Sequence, residues 1–111
     1  MTFARLRHLL GALLLGTASI ASAAYPDKPI TVIVPWAPGG STDILARALA
    51  EQLTKSMGQP VIVENRAGAS GNIGSNMVAK ARPDGYTLLV GSMSTHAMNP
   101  ALMENMPFKG V

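Results

Sequence analysis

Three polar runs in this chain carry the residue types that could do chemistry, and each follows an apolar stretch. The first holds Trp36, Ala37, Pro38, Gly39, Gly40, Ser41, Thr42 and Asp43. Pro35 and Pro38 stop a strand, Gly39 and Gly40 let the backbone turn without side chains over its amides, and Ser41 or Thr42 is placed to cap the helix that follows. Asp43 falls in the first helical turn, where the helix dipole favours a carboxylate. The first four amides of a helix lack intrahelical partners and together carry about half a positive charge, so such a junction is a natural anion site. The second run, Ala69, Ser70, Gly71, Asn72 and Ile73, repeats the design, and the third supplies Ser92, Thr95 and His96. Apart from Asp43 and Arg66 these runs hold almost no full charge. They suit a small anion or polar acid held by amides, hydroxyls and water.

Other chemistries fit less well. Gly68, Gly71 and Gly74 are spaced G-x-x-G-x-x-G, not G-x-G-x-x-G, and Gly91 and Ser92 stand after the third strand where a ribose-binding acid would be needed. The first run has no phosphate-loop lysine. A purely structural reading, with these glycines serving tight turns and helix–sheet packing, stays open. Ser41, Ser70, Ser92 and Ser94 lack a nucleophile elbow, and His8 and His96 are the two histidines, so no catalytic residue is assigned. His96 reads equally as a hydrogen-bonding or solvent-facing side chain, and Asp43 as a plain helix-terminus carboxylate. The methionines between 93 and 106 have no His or Cys at ligand spacing and read as packing; neither a metal site nor a cofactor is expected.

The elements that must hold these runs alternate regularly. Residues 30–34 are apolar and β-branched without polar alternation, as a strand covered on both faces requires. Residues 42–56 place Ile44, Leu45, Ala48, Leu49 and Leu53 at helical spacing with Arg47, Glu51, Gln52 and Lys55 opposite, predicting an amphipathic helix closed by Gly58. Residues 61–64 form a second strand, a helix carries Ile73, Met77, Val78 and Ala81, and residues 86–90 form a third strand after the Pro83, Asp84, Gly85 turn. Asn99 and Pro100 read as cap and first position of a short last helix. The fold class is α/β with parallel strands. The three polar runs then gather at the carboxyl edge of the sheet, where open α/β sheets bind ligands.

Ahead of this stands a basic head with Arg5, Arg7 and His8, an apolar run over residues 9–20, and the small residues Ala21, Ser22 and Ala23. This is the pattern of a secretory signal peptide over residues 1–23, cleaved after Ala23 or Ala24. The run is short of the roughly 20 residues a bilayer span needs. The whole chain has nine Lys plus Arg and six Asp plus Glu. Without Arg5 and Arg7 seven cations face six anions, a net of +1, and the cations are dispersed, which argues against nucleic acid as a partner. The chain has no cysteine, so it has no disulfide, thiolate site or lipid acceptor. A soluble exported protein is expected. Fewer than 90 residues follow the leader, whereas parallel sheets belong to domains of roughly 100 to 200 residues, so residues 24–111 read as the N-terminal portion of a longer protein. The tail Phe108, Lys109, Gly110, Val111 reads as an interrupted connection.

Taken in order, Tyr25-Pro26-Asp27-Lys28-Pro29-Ile30, then Pro35-Trp36-Ala37-Pro38-Gly39-Gly40-Ser41-Thr42-Asp43, then Val63-Glu64-Asn65-Arg66-Ala67-Gly68-Ala69-Ser70-Gly71-Asn72-Ile73-Gly74, then Pro83-Asp84-Gly85-Tyr86-Thr87-Leu88 closely resembles the substrate receptors of tripartite tricarboxylate transporters, the Bug receptors. The resemblance implies a periplasmic solute-binding protein of the type II Venus flytrap class, with two α/β lobes closing on a small carboxylic acid. The three strands here are then the N-terminal part of lobe 1. It also implies no enzymatic activity and delivery of the ligand to membrane permease subunits. Residues 37–43 and 69–73 match the regions where such receptors grip a ligand carboxylate, and residues 92–96 match a wall of the same cleft. Where the family continues with an aromatic-Asp-Pro segment into a second lobe, this chain has Phe108, Lys109 and Gly110. The alternative is an exported α/β enzyme of hydrolase or dinucleotide type whose catalytic residues lie downstream. Which carboxylate is bound is not written in these residues.

Overall fold

The computed structural model describes residues 24–108. The leader assigned to residues 1–23, and Lys109, Gly110 and Val111 of the tail, lie outside the described residues.

Strand β1 (Ile30–Val34) is the centre of the structure, flanked by β2 (Val61–Asn65) and β3 (Thr87–Leu89) in the order β2-β1-β3. Both pairings are parallel, with Val32 beside Val63 on one side and beside Leu88 on the other. The uninterrupted apolar run predicted this central place, and Ile33 and Val34 are fully buried. β2 ends one residue later than expected, and β3 is shorter at both ends, although the Val90 N–H still reaches Ile33 O at 2.9 Å.

Helix α1 (Ser41–Met57) crosses from β1 to β2 and packs on both. Helix α2 (Asn72–Ala79) crosses from β2 to β3, on the far side of β1, and packs on β3 and β1. Two right-handed crossovers running in opposite directions put the helices on opposite faces of the sheet. The chain reverses direction between β1 and β3, and the crevice of an open α/β sheet forms at such a switch, beyond the carboxyl ends of the strands. A third, four-residue helix α3 (Asn99–Leu102) follows a single wide π-type turn over Ser94–Met98.

The face that α1 presents to the sheet differs from the expected one. Asp43, Ala46 and Ala50 are buried, while Ile44, Leu45 and Leu49 are 63%, 67% and 55% exposed. Small alanines let the helix approach the strands closely. The carboxylate of Asp43, hydrogen-bonded below the helix, fixes which way the helix is turned. On the flank nearer β2, a hollow of about 280 Å³ is lined by Arg47, Ala50, Glu51, Thr54, Val61 and Val63, so Val61 and Val63 share the α1 side. Leu88, level with Val63 and Val32, shares that side but lies on β3 beyond α1, and is 40% exposed; Ile62 points the other way on β2, beyond α2, and is 47% exposed. Gly58 closes α1 in the left-handed conformation as expected, its N–H bonding Thr54 O at 3.1 Å.

Candidate functional site

The first loop, between β1 and α1, is built on Asp43. The N-cap of α1 is Gly40 in an extended conformation (φ −73°, ψ 168°), and neither Ser41 nor Thr42 makes a capping bond, which corrects the expectation for those hydroxyls. Asp43 instead reaches back, as the acid of a capping box does, and its Oδ2 accepts the Gly39 N–H at 2.9 Å and the Arg47 Nε–H at 3.1 Å. Its Oδ1 accepts from Asn65 Nδ2 at 2.9 Å. The Arg47 guanidinium, the Gly39 amide and the Asn65 carboxamide hold this carboxyl at about 2, below its ordinary 3.8, against the opposing effect of burial. Asp43 therefore lies under the loop as its anchor, and the Gly39 amide is not free. The amides that remain open are those of Gly40, Ser41, Thr42 and Asp43, since the first helical bond runs from Ile44 N to Gly40 O at 3.0 Å. Ala37, Gly39, Gly40 and Ser41 are exposed around them, and Thr42 is half-buried.

The second loop adopts an unusual backbone. Ala69 (φ 47°), Ser70 (φ 55°) and Gly71 (φ 86°) are all left-handed, and Asn72 then enters α2 with right-handed angles. A left-to-right succession of this kind turns successive backbone N–H groups to one side; those of Gly71 and Ile73 bond Gly68 O and that of Asn72 bonds Ala69 O, which leaves the amides of Ala69 and Ser70 open. Ala69 and Ser70 are exposed at the surface of that turn, Ile73 is 55% exposed beside it, and Gly71 and Asn72 are buried beneath.

The third loop is tied to itself. Thr95 is fully buried; its Oγ1 accepts the Ser92 N–H at 3.0 Å and lies 2.7 Å from Nδ1 of His96. The His96 ring stands over Gly91, where a Cβ would come within 2.6 Å of it, so the exposed imidazole is held by its two neighbours.

The three loops meet at Gly71. A Cβ there would lie 2.7 Å from Cγ2 of Thr95 and 3.3 Å from the Trp36 ring, and the left-handed φ already disfavours any other residue. Trp36 from the first loop, Gly71 from the second and Thr95 from the third thus form one floor at the carboxyl edge. Of the residues singled out from sequence, Asp43, Gly71, Asn72 and Thr95 build this floor from within. Trp36, Ala37, Gly39, Gly40, Ser41, Thr42, Ala69, Ser70, Ile73, Ser92 and His96 lie at or near its surface.

Two asparagines were not singled out as site residues. Asn65, at the end of β2, donates to Trp36 O at 3.1 Å as well as to Asp43, and accepts from Arg47 Nη2 at 2.9 Å. Asn99, expected as a helix cap, makes no capping bond; it is 7% exposed and its Nδ2 donates to Ser70 O and to Asn72 Oδ1, each at 2.9 Å. Among the described residues no three His, Cys, Asp or Glu side chains converge on a point, and no helix is long and apolar enough to cross a membrane.

The chain is similar to known proteins in sequence and in fold. Residues 45–111 match the family described as "Tripartite tricarboxylate transporter family receptor". Protein BugT of Bordetella pertussis is 48% identical over 114 residues, covering 98% of this chain and 35% of BugT. The solved structure of MatC from Rhodopseudomonas palustris with bound malate is 41% identical with a TM-score of 0.74, covering 78% of this chain and 29% of MatC. The R. palustris protein Rpa4515, solved with adipate, is 40% identical with the same TM-score of 0.74, covering 78% of this chain and 29% of Rpa4515. Other solved relatives are described as periplasmic transport or binding proteins. The chain spans about a third of the length of these relatives. With its family description matched over more than half its length and its α/β architecture shared with solved binding proteins, the chain belongs to the tripartite tricarboxylate transporter receptors.

Proposed function

We propose that this chain supplies the carboxylate-gripping part of a periplasmic receptor that captures a small carboxylic acid and passes it to the membrane permease of a tripartite transporter, without catalysing a reaction. The observation that carries the reading is the common floor of Trp36, Gly71 and Thr95, flanked by the starts of α1 and α2. Open amides at the start of α1, together with those of Ala69 and Ser70 in the turn before α2, favour an anion of carboxylate size, and malate and adipate, found on two relatives that share this fold, are both dicarboxylates. The leader pattern of residues 1–23 supports export to the periplasm. Delivery to a permease follows from the family's description as a transporter receptor.

The test is a chimaera in which residues 24–108 replace the matching segment of MatC. Calorimetry with malate is expected to return a dissociation constant within about tenfold of the parent's, a 1.4 kcal/mol window. A chimaera that melts cooperatively but no longer binds malate would overturn the reading.

A further inference from the structure

We infer that Asn99 is a positioning residue for the carboxylate site, holding the second loop in its left-handed form from the far side of the third loop. The inference rests on the receptor reading given above.

Ala69 and Ser70 carry side chains yet occupy the left-handed region, at φ 47° and φ 55°, where residues with a Cβ are uncommon. Something outside the turn must hold them there. The peptide between Ser70 and Gly71 is pinned at both ends: its carbonyl accepts from Asn99 Nδ2 at 2.9 Å and its N–H donates to Gly68 O at 3.0 Å. The second proton of the same NH₂ group goes to Asn72 Oδ1, also at 2.9 Å. The orientation of Asn72 is set in turn, because its own Nδ2 is directed to Sδ of Met103 at 3.0 Å. Asn99 therefore faces two acceptors, and only a side chain with two donors on one atom satisfies both. It is buried, so water does not compete for these bonds. The aspartate of the same shape would present an oxygen to the Ser70 and Asn72 oxygens. Without the bond to its carbonyl, the Ser70 peptide is free to leave the left-handed region and carry the Ala69 and Ser70 amides away from the floor. Asn99 itself has no need to touch ligand.

The test uses the MatC chimaera with Asn99→Asp and Asn99→Ala, each alone and combined with Ala69→Gly and Ser70→Gly. Glycine enters the left-handed region without the Cβ penalty, so it is expected to restore the loop without restoring any packing lost at position 99. Malate affinity is expected to fall about tenfold or more in either single variant and to recover at least half of that loss, on a logarithmic scale, in the glycine combinations. Unchanged affinity, or a loss that the glycines leave untouched, would overturn the inference. Amide hydrogen exchange on the ligand-free chimaera tests it without any binding: protection of the Gly71 N–H is expected to drop in Asn99→Asp while that of Val32 and Ile33 is kept. Equal protection of Gly71 in both forms would contradict the role even if the parent chimaera bound no malate, an outcome that would count against the receptor reading alone.

Discussion

Asp43 shows how much a single carboxylate organises here. Its two oxygens take donors from the first loop, from the next turn of α1 and from the end of β2, so one side chain fixes the loop, the helix rotation and the strand junction together. Because these donors lower its pKa from 3.8 to about 2, the stability they contribute is complete above roughly pH 4 and is lost as pH falls towards 2. Asp43→Asn is expected to lower the melting temperature at pH 7 and to flatten its acid decline between pH 4 and 2; a parallel acid decline in both proteins would refute the assignment. Position 71 makes the complementary case. Gly71→Ala meets both a left-handed φ and a Cβ contact of 2.7 Å with Thr95, and is expected to cost about 1–3 kcal/mol of stability by urea unfolding. Gly40→Val is expected to be tolerated, since φ there is −73° and the nearest atom to an added Cβ is Ala37 O at 3.7 Å. Asp43 was legible in the sequence as a first-turn acid. Asn65 and Asn99 were not, because their partners lie 18 to 29 residues away and a lone asparagine at a strand end or before proline carries no periodic signal.

At the scale of the element, strands and helices could be read almost residue by residue. Apolar β-branched runs bounded by Pro and Gly located β1 and β2, and α1 runs over Ser41–Met57 against an expected 42–56. The rotation of α1 could not be read. Hydrophobic spacing picks out its most apolar stripe, Ile44, Leu45, Ala48 and Leu49, but close approach to the sheet selects the stripe with the smallest side chains. Ala46→Leu, buried on the sheet face and outside the lining of the hollow, is accordingly expected to destabilise by about 1–3 kcal/mol through overpacking. Leu45→Gln, at a position 67% exposed, is expected to stay within about 0.5 kcal/mol. Urea unfolding of both variants decides: a larger loss at Leu45 would return the apolar stripe to the sheet. The left-handed turn at Ala69 and Ser70 was equally illegible, since only glycine announces that conformation in a sequence.

For the molecule as a whole, strand order gives the site its place: β3 returns beside β1, and the reversal sets the first and third loops side by side with Gly71 of the second between them. The same arrangement leaves Ile44, Leu45, Leu49, Ile62 and Leu88 uncovered among the described residues. The isolated segment is expected to bind a hydrophobic dye, an expectation that the absence of dye binding by the folded segment would refute. Backbone amides at a helix start or in a left-handed turn respond to the charge and shape of a carboxylate and not to what it is attached to. On the proposed receptor reading, the distal part of the ligand is left to the two thirds of the relatives' length that this chain does not cover. The most direct measurement places residues 24–108 of this chain in two hosts, the malate-binding MatC and the adipate-binding Rpa4515, and titrates both acids into both chimaeras by calorimetry. Each chimaera is expected to bind and to keep its host's preference; loss of binding in both, or one shared preference that travels with the inserted segment, would contradict the account.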